Sequence, residues 1–273
     1  MGKKYTTSAA ARDKIYMASR ESRRISIIFI IVLFLLFIVS SGFTRFNPLA
    51  AIIAQAEFWN FILTDFVPPY LGKWAALFQA VLQTIFMALS ATGIASIISL
   101  LLSFLGTKTI LRSPVVNAIV RGFASILRNI PDLVWAFILV AAFGIGTVVG
   151  VLALIISNTG QLTRFFIETL DEAAEENMEG LLAAGSPMPA VIFQAIIPSA
   201  LHGFIAWMLY SVELNMRSST ILGMVGAGGI GLLLMGYIKQ YNYAAASTAI
   251  VAVALVIILV NILTEFIRKI ILR

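Results

Sequence analysis

Apolar stretches long enough to cross a bilayer recur along the whole chain, and no other feature restricts its fold as tightly. They run over Ile25–Phe43, Ala75–Leu105, Ala118–Phe143, Val148–Ile167, Ala190–Met216 and Ala244–Phe266. A helix needs about 20 apolar residues to span the hydrocarbon core. Lipid offers no hydrogen bonds, so a segment of this kind must pair its backbone internally as a helix. The expectation is an all-α integral membrane protein with about six transmembrane helices. The charge content agrees: 12% of the 273 residues are charged, against about 25% in a soluble domain.

The residues between the runs set the organisation. Residues 1–24 are polar and basic, with Lys3, Lys4, Arg12, Lys14, Arg20, Arg23 and Arg24. A cleaved signal peptide is the alternative reading. The apolar run after it is long for such a segment and ends without a clean small-x-small site, so it reads as a retained first span. Residues 25–74 then comprise that span and an external loop. The loop holds Pro48, Pro68, Pro69, Phe58, Trp59, Phe61, Phe66 and Tyr70, with Trp74 at its end. Such rings settle at the headgroup level. The loop is either a plain connector with anchoring rings or a substrate-side docking surface. Residues 75–273 form the remaining core.

Orientation follows from the basic residues. With the amino terminus inside, Lys108, Arg112, Arg121, Arg128, Arg164, Arg268, Lys269 and Arg273 join the first seven. That puts fifteen of the nineteen Lys and Arg on the cytoplasmic side or at its span ends, leaving Arg45, Lys73, Arg217 and Lys239. The positive-inside bias therefore places both termini in the cytoplasm. A net charge of +6 in such a chain reports orientation, and no nucleic-acid partner is expected. Arg121 and Arg128, seven apart, share a helix face suited to snorkelling toward the cytoplasmic surface.

One cytoplasmic stretch is acidic: Glu168, Asp171, Glu172, Glu175, Glu176 and Glu179. It is either a solvated helix face or part of a charged docking surface. EGLLAAGSPMPAVIFQAIIP follows, over residues 179–198. Leu181, Leu182, Ala183 and Ala184 favour helix. Gly185 is suited to stop it in a left-handed conformation. Pro187 and Pro189 suit the first turn of the next helix. The expectation is helix, sharp turn, helix. An ordinary helical hairpin competes with a short docking helix on the membrane surface.

This stretch resembles the cytoplasmic coupling loop of the permease subunits of ABC importers. In that family a Glu-Ala-Ala triplet, three residues and a glycine precede an apolar-Pro pair. Here Glu179 alone of the triplet is kept, Gly185 is in register, and Ile197-Pro198 stands at the pair. RNIPDLVWAFILVAAFG, with its Arg-x-x-Pro-acid pattern, is similar to the same family. YSVELNMRSSTILGMVGAGGIGLLL, residues 210–234, is similar to the permeases for phosphonates and related phosphorus oxyanions and, less closely, to methionine-type permeases. The resemblance covers residue 75 to the end. It implies the type I ABC importer permease fold and a coupling loop over 168–198, with Glu179, Ala183, Ala184, Gly185, Ser186, Ile197 and Pro198 meeting the ATPase. It also implies a multi-pass subunit of the bacterial inner membrane. Its expected partners are two cytoplasmic ATPase subunits that carry ATP and Mg, an external binding protein, and a second permease. That permease is expected to be identical, with a diverged one as the alternative. Translocation is expected to use alternating access.

The pathway is expected along the fifth span and the glycine segment: Glu213, Asn215, Arg217, Ser218, Ser219, Thr220, Gly223, Gly226, Gly228 and Gly229. Hydroxyls and free amides can guide an oxyanion. Glu213 and Arg217, four apart, can form an ion pair on one helix face, and a structural pair is preferred to direct solute contact. The glycines permit close helix packing or a broken segment lining a cavity. GAGGIG matches a dinucleotide fingerprint only literally. It lacks the preceding strand, and the next carboxylate is Glu265.

Other classes are disfavoured. A secondary transporter or channel needs coupling groups within the membrane, for which Glu213, Asp132 and His202 are the candidates. His202 reads better as a packed residue near a span end. No HExxH, GxSxG or Walker A sequence is present, so no catalytic residues and no ATP hydrolysis are expected of this chain. With no cysteine and one histidine, no metal or other bound cofactor is expected either.

Overall fold

The computed structural model describes residues 9–67, 70, 72–111 and 113–271. Lys3, Lys4, the Pro68-Pro69 pair, Arg112 and Arg273 lie outside the described residues, as do the side chains of Arg12, Lys14, Arg20 and Glu176. The chain divides into two units after Ile62.

The first unit is helical. Its α1, Ala9–Thr44, exposes apolar side chains all round over residues 25–39, as a helix facing lipid should. Short helices α2 (Pro48–Ile53) and α3 (Gln55–Phe61) follow. Asn47 caps α2, accepting hydrogen bonds from the Leu49 and Ala50 amides at 3.1 and 3.2 Å.

The second unit holds α4 (Trp74–Gly106), α5 (Pro114–Asn129), α6 (Asp132–Phe143), α7 (Thr147–Ala183), α8 (Met188–Val191), α9 (Ile197–Leu222), α10 (Gly229–Lys239) and α11 (Tyr243–Ile271). Together with residues 22–44, there are among the described residues five helices long and apolar enough to cross a membrane, or six if the bent pair α5–α6 counts as one.

Residue pairings fix the relative sense of these helices. Ser99 Oγ donates to the Thr159 carbonyl at 3.1 Å, and Thr107, just past α4, bonds Asp171. Gly150 lies against Met87. Position numbers rise together on α4 and α7, so the two helices run parallel. The connection between them must therefore return the chain, and α5–α6 does so. The third apolar run, Ala118–Phe143, is not one straight helix: its two halves are bent by 82°. Pro131 explains the break, since it supplies no N–H and its ring clashes with the preceding turn. The turn after α6 is level with Thr84–Met87. At 1.5 Å per residue, that is about 15 Å short of the start of α4.

The fourth apolar run and the acidic stretch are one helix, α7, of 37 residues. Its buried face, Leu162, Phe166 and Leu170, packs against Val191, Ile196 and Phe204. Phe166 meets Phe204 with ring centroids 4.7 Å apart, and Phe165 stacks on Trp207 at 3.9 Å. Here α9 runs antiparallel to α7, with Gly203 beside Thr169.

α9 and α10 form a single crossing interrupted by Gly223–Gly228. Gly229 sits beside Thr84, while Tyr237 sits under the Lys73 ammonium, 5.6 Å from its ring centroid. α10 thus continues toward the amino-terminal end of α4. Gly226 (φ +108) and Gly228 (φ +83) bend the backbone where an L side chain would be strained.

Candidate functional site

The helix stop near the end of α7 has the geometry its composition asks for. Gly185 has φ +82 with open space around it. The Gly185 and Ser186 amides donate at 3.0 Å to the Leu182 and Leu181 carbonyls, closing the last helical turn. Glu179, Ala183, Ala184 and Gly185 are exposed, and Ser186 is half-buried. Two exposed apolar side chains flank this turn, Leu182 and Phe193. Neither Leu182 nor Phe193 is singled out by sequence patterning, because each sits in an apolar run that reads as buried. The short helix α8 is continuous with the next span. Met188–Val191 passes through a π-helical turn, Ile192–Ile196, directly into α9, with Ile197-Pro198 in its first turn.

Higher on α9 the polar residues divide by face. Asn215 is buried, and its Nδ2 donates to Thr92 Oγ1 at 2.8 Å. Ser218 Oγ donates to Asp132 at 2.7 Å, and Ser157 Oγ donates to the other oxygen of the same carboxylate at 2.6 Å. Asp132 opens α6, where an acid also suits the positive helix end. Three helices are thereby tied at one carboxylate beside the Pro131 break. Ser157 carries no signal of its own in the sequence, and the pairing of Asp132 with Ser218 spans 86 positions.

Ser219 and Thr220 turn back on their own helix and donate to the Met216 carbonyl at 2.9 and 3.3 Å. Ser219 is fully buried. The opposite face of α9 and of the π-helical turn after it is open in the single chain: Tyr210, Arg217, Ile221 and Met224 are exposed, spaced by seven, four and three. Arg217 pairs with Glu213 on this face, with 48% of its side chain exposed against 21% for the acid.

The glycine segment is mostly interior. Gly223, Gly226 and Gly228 are buried within the unit. The Gly146 amide donates to the Gly226 carbonyl at 3.0 Å, and the Ile230 amide donates to Thr84 Oγ1 at 2.9 Å. Broken-helix polar groups are thus paired with neighbouring elements, as a membrane interior demands. Gly229 is buried as well, and it borders a recess of about 380 Å³ with Gln79, Gln83, Gly236 and Gln240. That recess brings together amide side chains from α4 and the end of α10 that are far apart in the chain. Among the described residues, no cluster of acids or histidine has the makings of a metal site.

Residues 96–273 match the family described as binding-protein-dependent transport system inner membrane component. The chain is 30% identical to the phosphite transport system permease protein PtxC of Stutzerimonas stutzeri, over 92% of this chain and 89% of that protein. It is 31% identical to the phosphate-import permease protein PhnE of Mycolicibacterium smegmatis, over 86% of this chain and 44% of that longer protein. Among solved structures, an inward-facing MetNI methionine ABC transporter chain is similar with a TM-score of 0.63. At 21% identity over 72% of this chain and 96% of that one, it supports the fold alone.

Proposed function

The chain belongs to the family of inner-membrane components of binding-protein-dependent transport systems and is a permease of an ABC importer; from that premise we propose that its cargo is phosphite, phosphonate or a related phosphorus oxyanion. The carrying observation is the identity of 30% across nearly the whole of a phosphite permease. The test is growth. A strain whose only route for phosphite and methylphosphonate is this chain with its neighbouring transport subunits should grow on either as sole phosphorus source. Rescue of methionine uptake without phosphite uptake would overturn the cargo reading.

The partners proposed are two cytoplasmic ATPases, an external binding protein and a second copy of this chain. ATP is used by the ATPase subunits. The Ala184–Ser186 turn, with Glu179, Leu182 and Phe193, is the proposed ATPase contact. Exposed apolar side chains beside a rigid turn supply desolvated contact area, while the acid sets orientation. Both termini are assigned to the cytoplasm, which puts this turn there as well.

The proposed pathway combines the open face of α9 around Glu213 and Arg217 with the glutamine recess at Gly229. Neutral amide donors can hold an oxyanion without a fixed charge to trap it. Asn215, Ser218, Ser219, Thr220, Gly223, Gly226 and Gly228 take the supporting role, holding the broken crossing in shape.

A further inference from the structure

The cavity between α5 and α7 takes no part in the reading above. It measures about 220 Å³ and is lined by Arg121, Arg128 and Arg164, with Ser125 and Glu168. Two of these cations are accounted for. Arg121 pairs with Asp171 at 2.7 Å and donates to the Gly106 carbonyl at 3.0 Å. Arg164 pairs with Glu168 at 2.7 Å. Arg128 has neither a hydrogen bond nor an ion pair among the described residues, and its Nε is buried without a partner.

Arg128 is half-buried, and a guanidinium nitrogen buried without a partner is costly; arginine does not relieve that cost by losing its proton. α5 and α7 stay close beside the cavity. They touch at Gly160, where even a Cβ would strike the Arg128 amide nitrogen and the Ala124 carbonyl oxygen. The backbone of Arg128 is therefore held against α7, with its head at the cavity. Both carboxylates nearby are committed to other arginines, so one positive charge is left over.

We propose that this cavity binds a phosphate-type oxyanion, with Arg128 as its principal ligand and Ser125 and Arg164 as neighbouring donors. A guanidinium fork matches two oxygens of such a group, and a hydroxyl supplies a donor to a third. Arg121 is level with Gly106 at the end of α4, and Arg128 stands about 10 Å further along α5, seven residues at 1.5 Å each. That depth is reachable by a free ion in a wet cavity and by the headgroup phosphate of an anionic lipid. The chemistry is the same for both. The site does not depend on the cargo reading, since the unpaired guanidinium asks for an anion whatever the protein transports.

The test uses the full chain, purified in detergent, as wild type, Arg128→Gln, Arg128→Lys, Ser125→Ala and a control, Lys239→Gln. Radiolabelled inorganic phosphate is measured by equilibrium dialysis. Retained phosphatidylglycerol is measured by native mass spectrometry against phosphatidylcholine. Wild type should hold one of the two anionic probes per chain. Arg128→Gln should weaken it about tenfold or more, the loss expected for a charge-assisted hydrogen bond. Ser125→Ala should weaken it less, Arg128→Lys should fall between, and Lys239→Gln should have no effect. Saturable phosphate binding without lipid identifies a free ion, and binding of phosphatidylglycerol alone identifies a headgroup. If neither probe binds, or a well-folded Arg128→Gln binds as wild type does, the site does not exist. If Arg128→Gln fails to fold, unchanged binding in both Arg128→Lys and Ser125→Ala overturns it.

Discussion

Asp132 accepts hydroxyl hydrogen bonds from Ser157 and Ser218, so one carboxylate ties the start of α6 to both α7 and α9. Asp132→Ala leaves both hydroxyls to find new partners in a part-buried place, at about 1–3 kcal/mol each. Its melting temperature should fall more than that of Asp132→Asn, whose side-chain carbonyl still accepts. Equal melting temperatures for the two would show that the hydroxyls do not depend on Asp132. The Glu213–Arg217 pair asks a different question. A lone charge in the middle of a crossing costs about 2.5–3.5 kcal/mol, so Glu213→Ala and Arg217→Ala should each reduce assembly or uptake. The charge swap, Glu213→Arg with Arg217→Glu, should recover part of the loss if the pair is structural. Recovery of assembly without uptake would assign Arg217 to the solute. Gly185 is the third single-residue lever. Gly185→Val places a branched side chain at φ +82, costing about 1–2 kcal/mol locally. ATPase co-purification should drop while membrane insertion persists, and undiminished co-purification would remove this turn from the contact.

At the level of elements, the legible parts are those with a local cause. Gly185 stops α7 because glycine adopts the left-handed turn without side-chain strain, and the motif spacing points to it. Pro131 is equally local, yet an apolar run read for length passes straight through it, so the bend of α5–α6 is missed. The partners of Asp132 cannot be read at all, because 25 and 86 positions separate it from its two hydroxyls. The serine run 218–219 looks uniform in sequence, but helical rotation sends Ser218 to Asp132 and Ser219 to the backbone of its own helix. This division makes an accessibility prediction. Cysteine at Gln83 or Gly236, in the recess of about 380 Å³, should react with small thiol reagents. Cysteine at the fully buried Ser219 should not. The natural chain has no cysteine, so the background is clean. Fast labelling at Ser219 with none at Gln83 would place the water path inside the bundle instead.

The whole molecule is constrained by one topological fact: α4 and α7 run parallel, so the chain returns between them through a broken crossing. A parallel pair places the end of α4 and the turn after α7 on the same side. It places the α10–α11 turn, beside Lys73 through Tyr237, on the other. The basic residues carry the proposed orientation. Lys108 follows α4, Arg121 and Arg164 stand near its end, and Arg268 and Lys269 occupy the last turn of α11. Positive residues of this kind are retained in the cytoplasm. Both expectations meet in one experiment on intact cells with a membrane-impermeant thiol reagent. Cysteine at Gln240, exposed in the turn before α11, should label from outside. Cysteine at Ala184, exposed beside Gly185, should label only after the cells are opened. The two positions test separate things. Labelling of both from outside would break the parallel arrangement of α4 and α7, because no single crossing would separate them. Labelling of Ala184 from outside with Gln240 protected would keep the arrangement and invert it, withdrawing the proposed cytoplasmic contact at Ala184–Ser186 with it.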